Sequence, residues 1–234
     1  MNTSAACAAA IMLAAASPAL AQVSGGELGI EYNAPLNGSD FGGTTYSGGL
    51  GYGVMNVANV SANVAGYKFD NLGTDASNVT LHATYLMSSD IGVGAFVASD
   101  SIEGENATLV GVEGRGTLYG ASLGGYLGRA DDGTDTGTIF GVDGAYALRS
   151  GFSAIGNIDY FDAGGDNLSQ ISVGGEYQMA VGPQFYAQIG SVTGDFDGVS
   201  ESYGFFTVGA KVAFGADQGT LFTNRSILEV LPGF

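Results

Sequence analysis

The sequence has no tryptophan, one cysteine, four prolines and only six lysines and arginines among its 234 residues. Each scarcity excludes something. The single cysteine, Cys7, lies in the N-terminal segment, so the rest of the chain holds no disulfide, thiolate nucleophile or thiolate metal ligand. Six basic residues stand against 23 acidic ones, for a formal net charge of −17. That balance excludes nucleic acid as a partner, because such binding needs a basic footprint. Charged residues total only 12%, against roughly 25% in a soluble globular domain. Pro18, Pro35, Pro183 and Pro232 all fall outside the alternating segments described below, where each would remove a ladder hydrogen bond. Beyond the N-terminal segment no apolar run is long enough for a membrane-spanning helix.

That N-terminal segment reads AACAAAIMLAAASPALA and ends in Ala19-Leu20-Ala21, a small-x-small cleavage pattern. It is expected to be a signal peptide covering residues 1–21, with the mature chain starting at Gln22. The leading Met-Asn-Thr-Ser lacks the usual positive charge. Cys7 precedes the apolar core instead of following it, which argues against a lipid-attachment site.

What the sequence has in abundance is alternation. In SYGFFTVGAKVAFG, one parity gives Phe206, Val208, Ala210, Val212 and Phe214, and the other gives Phe205, Thr207, Gly209, Lys211 and Ala213. Strict period-two patterning means an extended strand whose faces meet different solvents. Similar segments predict strands near 27–33, 44–54, 57–68, 77–87, 91–99, 106–114, 117–128, 136–148, 152–162, 168–179, 184–193 and 202–214. The register of the sixth is ambiguous in ATLVGVEG. Connections are expected to alternate between short turns, including Gly114-Arg115-Gly116 and Arg149-Ser150-Gly151, and longer loops at 34–43, 69–76, 100–105, 129–135, 163–167 and 194–201. Most acidic residues fall in or beside those loops, giving one acidic end.

No helix-period segment is available to cover twelve apolar strand faces. In water the strands would have to stack sheet on sheet, but so little charge suits a lipid-facing exterior better. In a bilayer every backbone group must pair, and a closed barrel is the strand solution. The expected fold is therefore all-β: a transmembrane up-and-down antiparallel β-barrel of about twelve strands over residues 22–214, with residues 215–234 as a periplasmic C-terminal tail that docks under or into it.

With these features the chain resembles Gram-negative outer-membrane β-barrels, in particular small porin-like proteins. The sharpest element is TVGAKVAF, Thr207 to Phe214, which matches the assembly signal of such strands: polar, glycine two residues on, then apolar and aromatic positions. The family places its terminal aromatic at the chain end, and this chain ends in Phe234 after a poorly alternating stretch. The resemblance implies an outer-membrane location, contact with lipid and lipopolysaccharide, and delivery by barrel-assembly machinery. Porins often form homo-oligomers, but no strand here is marked as subunit-facing.

If the apolar parity faces lipid, the other lines the lumen. The candidates are Glu27, Glu31, Asn59, Asn63, Asn78, His82, Glu113, Asp143, Asn157, Asp159, Glu176, Gln178, Gln188 and Lys211, among many glycines. Six of these are carboxylates and one is a clear cation, so the lining should concentrate cations and repel anions. The alternative for Lys211 is a locking pair with Asp143, Asp159 or Glu176. His82 is the only histidine. Its parity points inward, away from the surface position that an outer-membrane hydrolase would use, so no catalytic residue is assigned and the chain is not expected to be an enzyme. RADDGTDTG and GDFDG lack EF-hand spacing and read better as solvated acidic loops, and no cofactor or metal is expected. The expected function is passive diffusion of small hydrophilic, preferably cationic, solutes. The rivals are a closed structural or adhesive barrel with acidic external loops, and, third, an outer-membrane hydrolase.

Overall fold

The computed structural model describes residues 21–36, 42–54, 57–70, 74–88, 90–196, 199–215 and 219–230. The expected signal peptide lies outside these residues, apart from Ala21. All twelve expected strands are present: β1 (Ala21–Pro35), β2 (Gly43–Val54), β3 (Ala58–Phe69), β4 (Asp75–Leu86), β5 (Ile91–Ile102), β6 (Glu105–Leu118), β7 (Ala121–Asp131), β8 (Thr136–Arg149), β9 (Phe152–Ala163), β10 (Asp166–Gln178), β11 (Gln184–Phe196) and β12 (Val199–Phe214). Each pairs antiparallel with its sequence neighbours, and β1 pairs with β12 from Gly26–Phe214 to Pro35–Phe205, closing the barrel. Strands of 11 to 16 residues meet or exceed the roughly 9–11 that cross a bilayer.

Alternation sorts the faces as the composition requires. Leu28, Ile30, Val60, Val79, Leu81, Val97, Val112, Leu127, Ile158, Val173, Ile189, Phe206, Val208 and Val212 are exposed on the outside. Their strand neighbours Glu27, Asn59, Ser61, Asn78, Thr80, His82, Glu113, Ser172 and Thr207 are buried inside. An apolar exterior around a polar interior is the reverse of a soluble sandwich and suits lipid.

The connections differ from expectation. Gly114-Arg115-Gly116 is no turn: β6 runs on to Leu118, and the chain reverses at Tyr119-Gly120. Both residues there have positive φ (52° and 79°), as do Glu103-Gly104 and Ser150-Gly151, the signature of two-residue type I′ hairpins whose twist matches the strands. Glu103-Gly104 lies at the end expected to carry long loops. There the strands simply continue into the acidic stretches, because ladder pairing outside the bilayer does not require apolar side chains. Asp100, read as a loop residue, thus belongs to β5. The longest connection is 36–42, of which 37–41 lie outside the described residues.

Candidate functional site

The C-terminal segment does not remain beneath the barrel. Residues 219–230 run up inside the lumen, against the wall made by β3, β4, β5 and β6. Thr220 accepts from Asn63 Nδ2 (3.1 Å) and donates to Glu27 (3.1 Å). Phe222 stacks on the His82 ring at 5.8 Å between centroids. Asn78 receives Asn224 Nδ2 (2.8 Å) and donates to the Arg225 carbonyl (2.9 Å). Asp100 accepts from Ser226 Oγ (2.6 Å) and the Ile227 backbone N–H (2.8 Å). The midpoint is ionic: Arg225 Nε lies 3.0 Å from Glu113 Oε2, and His82 Nδ1 lies 2.6 Å from Glu113 Oε1.

The segment ends in an apolar collar. Val230 packs in a buried cluster with Phe96, Ala98, Leu109, Ala130, Ile139, Leu168, Val192 and Phe205, with Ile227 beside it. Leu228 packs against a second cluster, Ala65, Tyr67, Phe69 and Ala76. Turned so that its amide nitrogen faces the segment, Gln170 donates to the carbonyl oxygens of Glu229 (2.8 Å) and Val230 (3.3 Å).

Between this segment and the opposite wall lies a cavity of about 410 Å³, lined by residues from both ends of the barrel, such as Glu176 and Gln184 at one and Thr44 and Lys68 at the other. Of the expected lumen residues, Glu27, Glu31, Asp143, Asn157, Asp159, Glu176, Gln188 and Lys211 border it. Asn63, Asn78, His82 and Glu113 are instead buried at the segment, and Asn59 bonds Ser24 Oγ (2.9 Å). Gln178 sits at the rim, donating to Met179 O (3.1 Å) and Gly182 O (3.2 Å).

The charge balance is less one-sided than the strand pattern implied. Arg115 faces inward and pairs with Asp143. Lys211 pairs with Glu27 (3.4 Å), not with Asp143, Asp159 or Glu176. Arg225 adds a third lumen cation that no strand pattern could reveal. Two other carboxylates are held by neutral donors: Glu31 by Asn33 Nδ2 (2.9 Å) and Tyr186 OH (2.8 Å), and Asp159 by Tyr126 OH (2.9 Å) and Asn157 Nδ2 (2.6 Å). The cavity therefore keeps an acidic surplus, since Glu176 borders it as well.

The acidic loop at 132–135 is a self-contained turn. Asp132 accepts the backbone N–H groups of Asp135 and Thr134, both at 2.8 Å, and they hold its carboxyl below the usual range. Among the described residues no group of three or more His, Cys, Asp or Glu side chains is placed to hold a metal ion. Part of GDFDG, residues 197–198, lies outside the described residues.

No family model matches the chain, and no curated protein matches it in sequence. Solved structures do. The KdgM porin in complex with disordered oligogalacturonate is similar with a TM-score of 0.56 at 13% identity, covering 79% of this chain and 97% of that one. The CymD monoaromatic hydrocarbon channel gives 0.55 at 9% identity, covering 84% and 90%. LpxR from Salmonella typhimurium gives 0.51 at 8% identity, covering 79% and 99%. At such identities the likeness lies in the fold, and the fold of this chain is a closed antiparallel β-barrel of twelve strands.

Proposed function

We propose that the chain is a passive outer-membrane channel, not an enzyme, admitting small hydrophilic solutes with a preference for cations. The supporting observation is the cavity beside the C-terminal segment, bordered by Glu31, Asp159 and Glu176 in addition to the Glu27–Lys211 and Asp143–Arg115 pairs. Fixed acidic charge in a low-dielectric wall raises the local concentration of cations and excludes anions. Two structural neighbours described as a porin and a channel share the architecture. The KdgM structure holds an oligogalacturonate, a polyanion. An acidic lumen is the wrong partner for that ligand, so the same cargo is not proposed here.

The test is swelling of liposomes carrying the purified barrel, with a small neutral sugar, an amine cation and a carboxylate anion of similar size. The cation should enter fastest and the anion slowest, both against protein-free liposomes. Swelling no faster than in protein-free liposomes would overturn the proposal. That result would favour the second reading, a closed structural barrel, for which the seated segment and its apolar collar are the specific support.

A further inference from the structure

The wall beneath the C-terminal segment is built to meet water. Asn59 Oδ1, Ser61 Oγ, Asn63 Oδ1, His82 Nε2 and Thr84 Oγ1 are buried there without a protein hydrogen-bond partner among the described residues. A permanent core rarely leaves such a cluster unsatisfied, and an apolar wall would have cost less. Water reaching these atoms would satisfy all of them. The barrel, meanwhile, needs nothing from the segment to close, since β1 and β12 pair directly from Gly26–Phe214 to Pro35–Phe205.

We propose that residues 219–230 are a displaceable plug, seated at rest and released as a unit to expose a wider lumen with a hydrophilic second wall. The inference rests on the channel reading. Ile227, Leu228 and Val230 leave apolar clusters on release, and Phe222 leaves the His82 ring, which keeps the seated state the more populated one. Asn224, Arg225 and Ser226 exchange protein partners for water, which keeps release within reach. Glu113 is not stranded when Arg225 departs, because His82 remains against its other oxygen. The path in and out passes two glycines with positive φ, Gly215 (87°) and Gly219 (123°), and a side chain at Gly215 would run into the Gly25 backbone.

The test uses the full chain with Cys7→Ser. Asp100→Cys and Ser226→Cys replace side chains whose oxygens lie 2.6 Å apart. In planar bilayers the oxidised form should lose the larger current steps that appear after reduction and that Arg225→Ala makes more frequent. Identical steps in oxidised, reduced and Arg225→Ala forms would overturn the plug while leaving a channel. A second measurement does not depend on current: Ser61→Cys should react slowly with a membrane-impermeant thiol reagent, and faster with Arg225→Ala added. No reaction in either would make the segment a fixed part of the fold and overturn the proposal. Absence of current in every form, with Ser61→Cys still labelled, would count against the channel reading and support displacement.

Discussion

Arg225 of the C-terminal segment places its guanidinium Nε 3.0 Å from Oε2 of Glu113 on β6, and both side chains are almost fully buried inside the barrel. Glu113 is shared with His82, and the guanidinium carbon lies 4.4 Å from the centroid of the Tyr126 ring. A buried ion pair is costly to break by removing one partner, typically by about 3–5 kcal/mol, a cost that His82 softens by staying against Glu113. Here the pair spans two elements far apart in sequence, so it fixes where the segment sits more than how the barrel closes.

This arrangement makes Arg225 an unusual trypsin site. At 4% exposure it should resist cleavage in the folded barrel. Mass spectrometry after limited trypsin treatment should recover chains still carrying residues 226–234. Glu113→Gln, which removes the ionic anchor, should increase loss of that fragment while heat-modifiable migration of the barrel persists.

Gly25 offers a way to loosen the segment from outside the ionic contact. A Cβ at that position would fall inside the van der Waals radius of the Gly219 carbonyl oxygen, a backbone atom that cannot rotate away. Overpacking of this kind costs about 1–3 kcal/mol. Gly25→Ala should therefore raise cleavage after Arg225 under the same conditions, with little change in the strand signal by circular dichroism.

The exterior makes an independent prediction. Leu81 points outward, half exposed, between inward-facing Thr80 and His82 near the middle of β4. Leu81→Arg places a charge on the lipid face and should destabilise the barrel by about 2–4 kcal/mol if the site is near the bilayer midplane. The measurement is guanidinium unfolding in lipid vesicles. Leu81→Ala should cost less, which separates charge from size.

Much of this architecture is legible in the chain. Phe206, Val208 and Val212 against Thr207 and Lys211 already define one lipid face and one lumen face, and the same reading locates His82 inside. What failed was local punctuation and distant pairing. Gly114-Arg115-Gly116 carries every mark of a turn, yet the β6–β7 ladder runs through it, and Arg115 meets Asp143 of β8 over Gly124 of the intervening β7. Tyr119-Gly120 is a poor turn signal, since a left-handed tyrosine is uncommon. The C-terminal segment shows no period because it follows none. Phe222, Arg225, Ser226 and Val230 each answer a different point on the barrel wall, which only the closed structure brings together. Absence of alternation after residue 215 was a signal that the segment is not a strand, but it could not say where the segment lies.

Lys211 tests the charge account. Its Nζ lies 3.4 Å from Glu27 Oε2, so Lys211→Gln removes a lumen cation and frees a carboxylate. Cation preference should increase, read as a larger reversal potential under the same salt gradient. Glu31→Gln should move it the other way.

The most direct measurement is single-channel current through the purified barrel in a planar bilayer under a KCl gradient. Discrete steps with a cation-favouring reversal potential are the expected result, following from the acidic surplus around the cavity. An anion-favouring potential, or a folded barrel that never conducts, would contradict it.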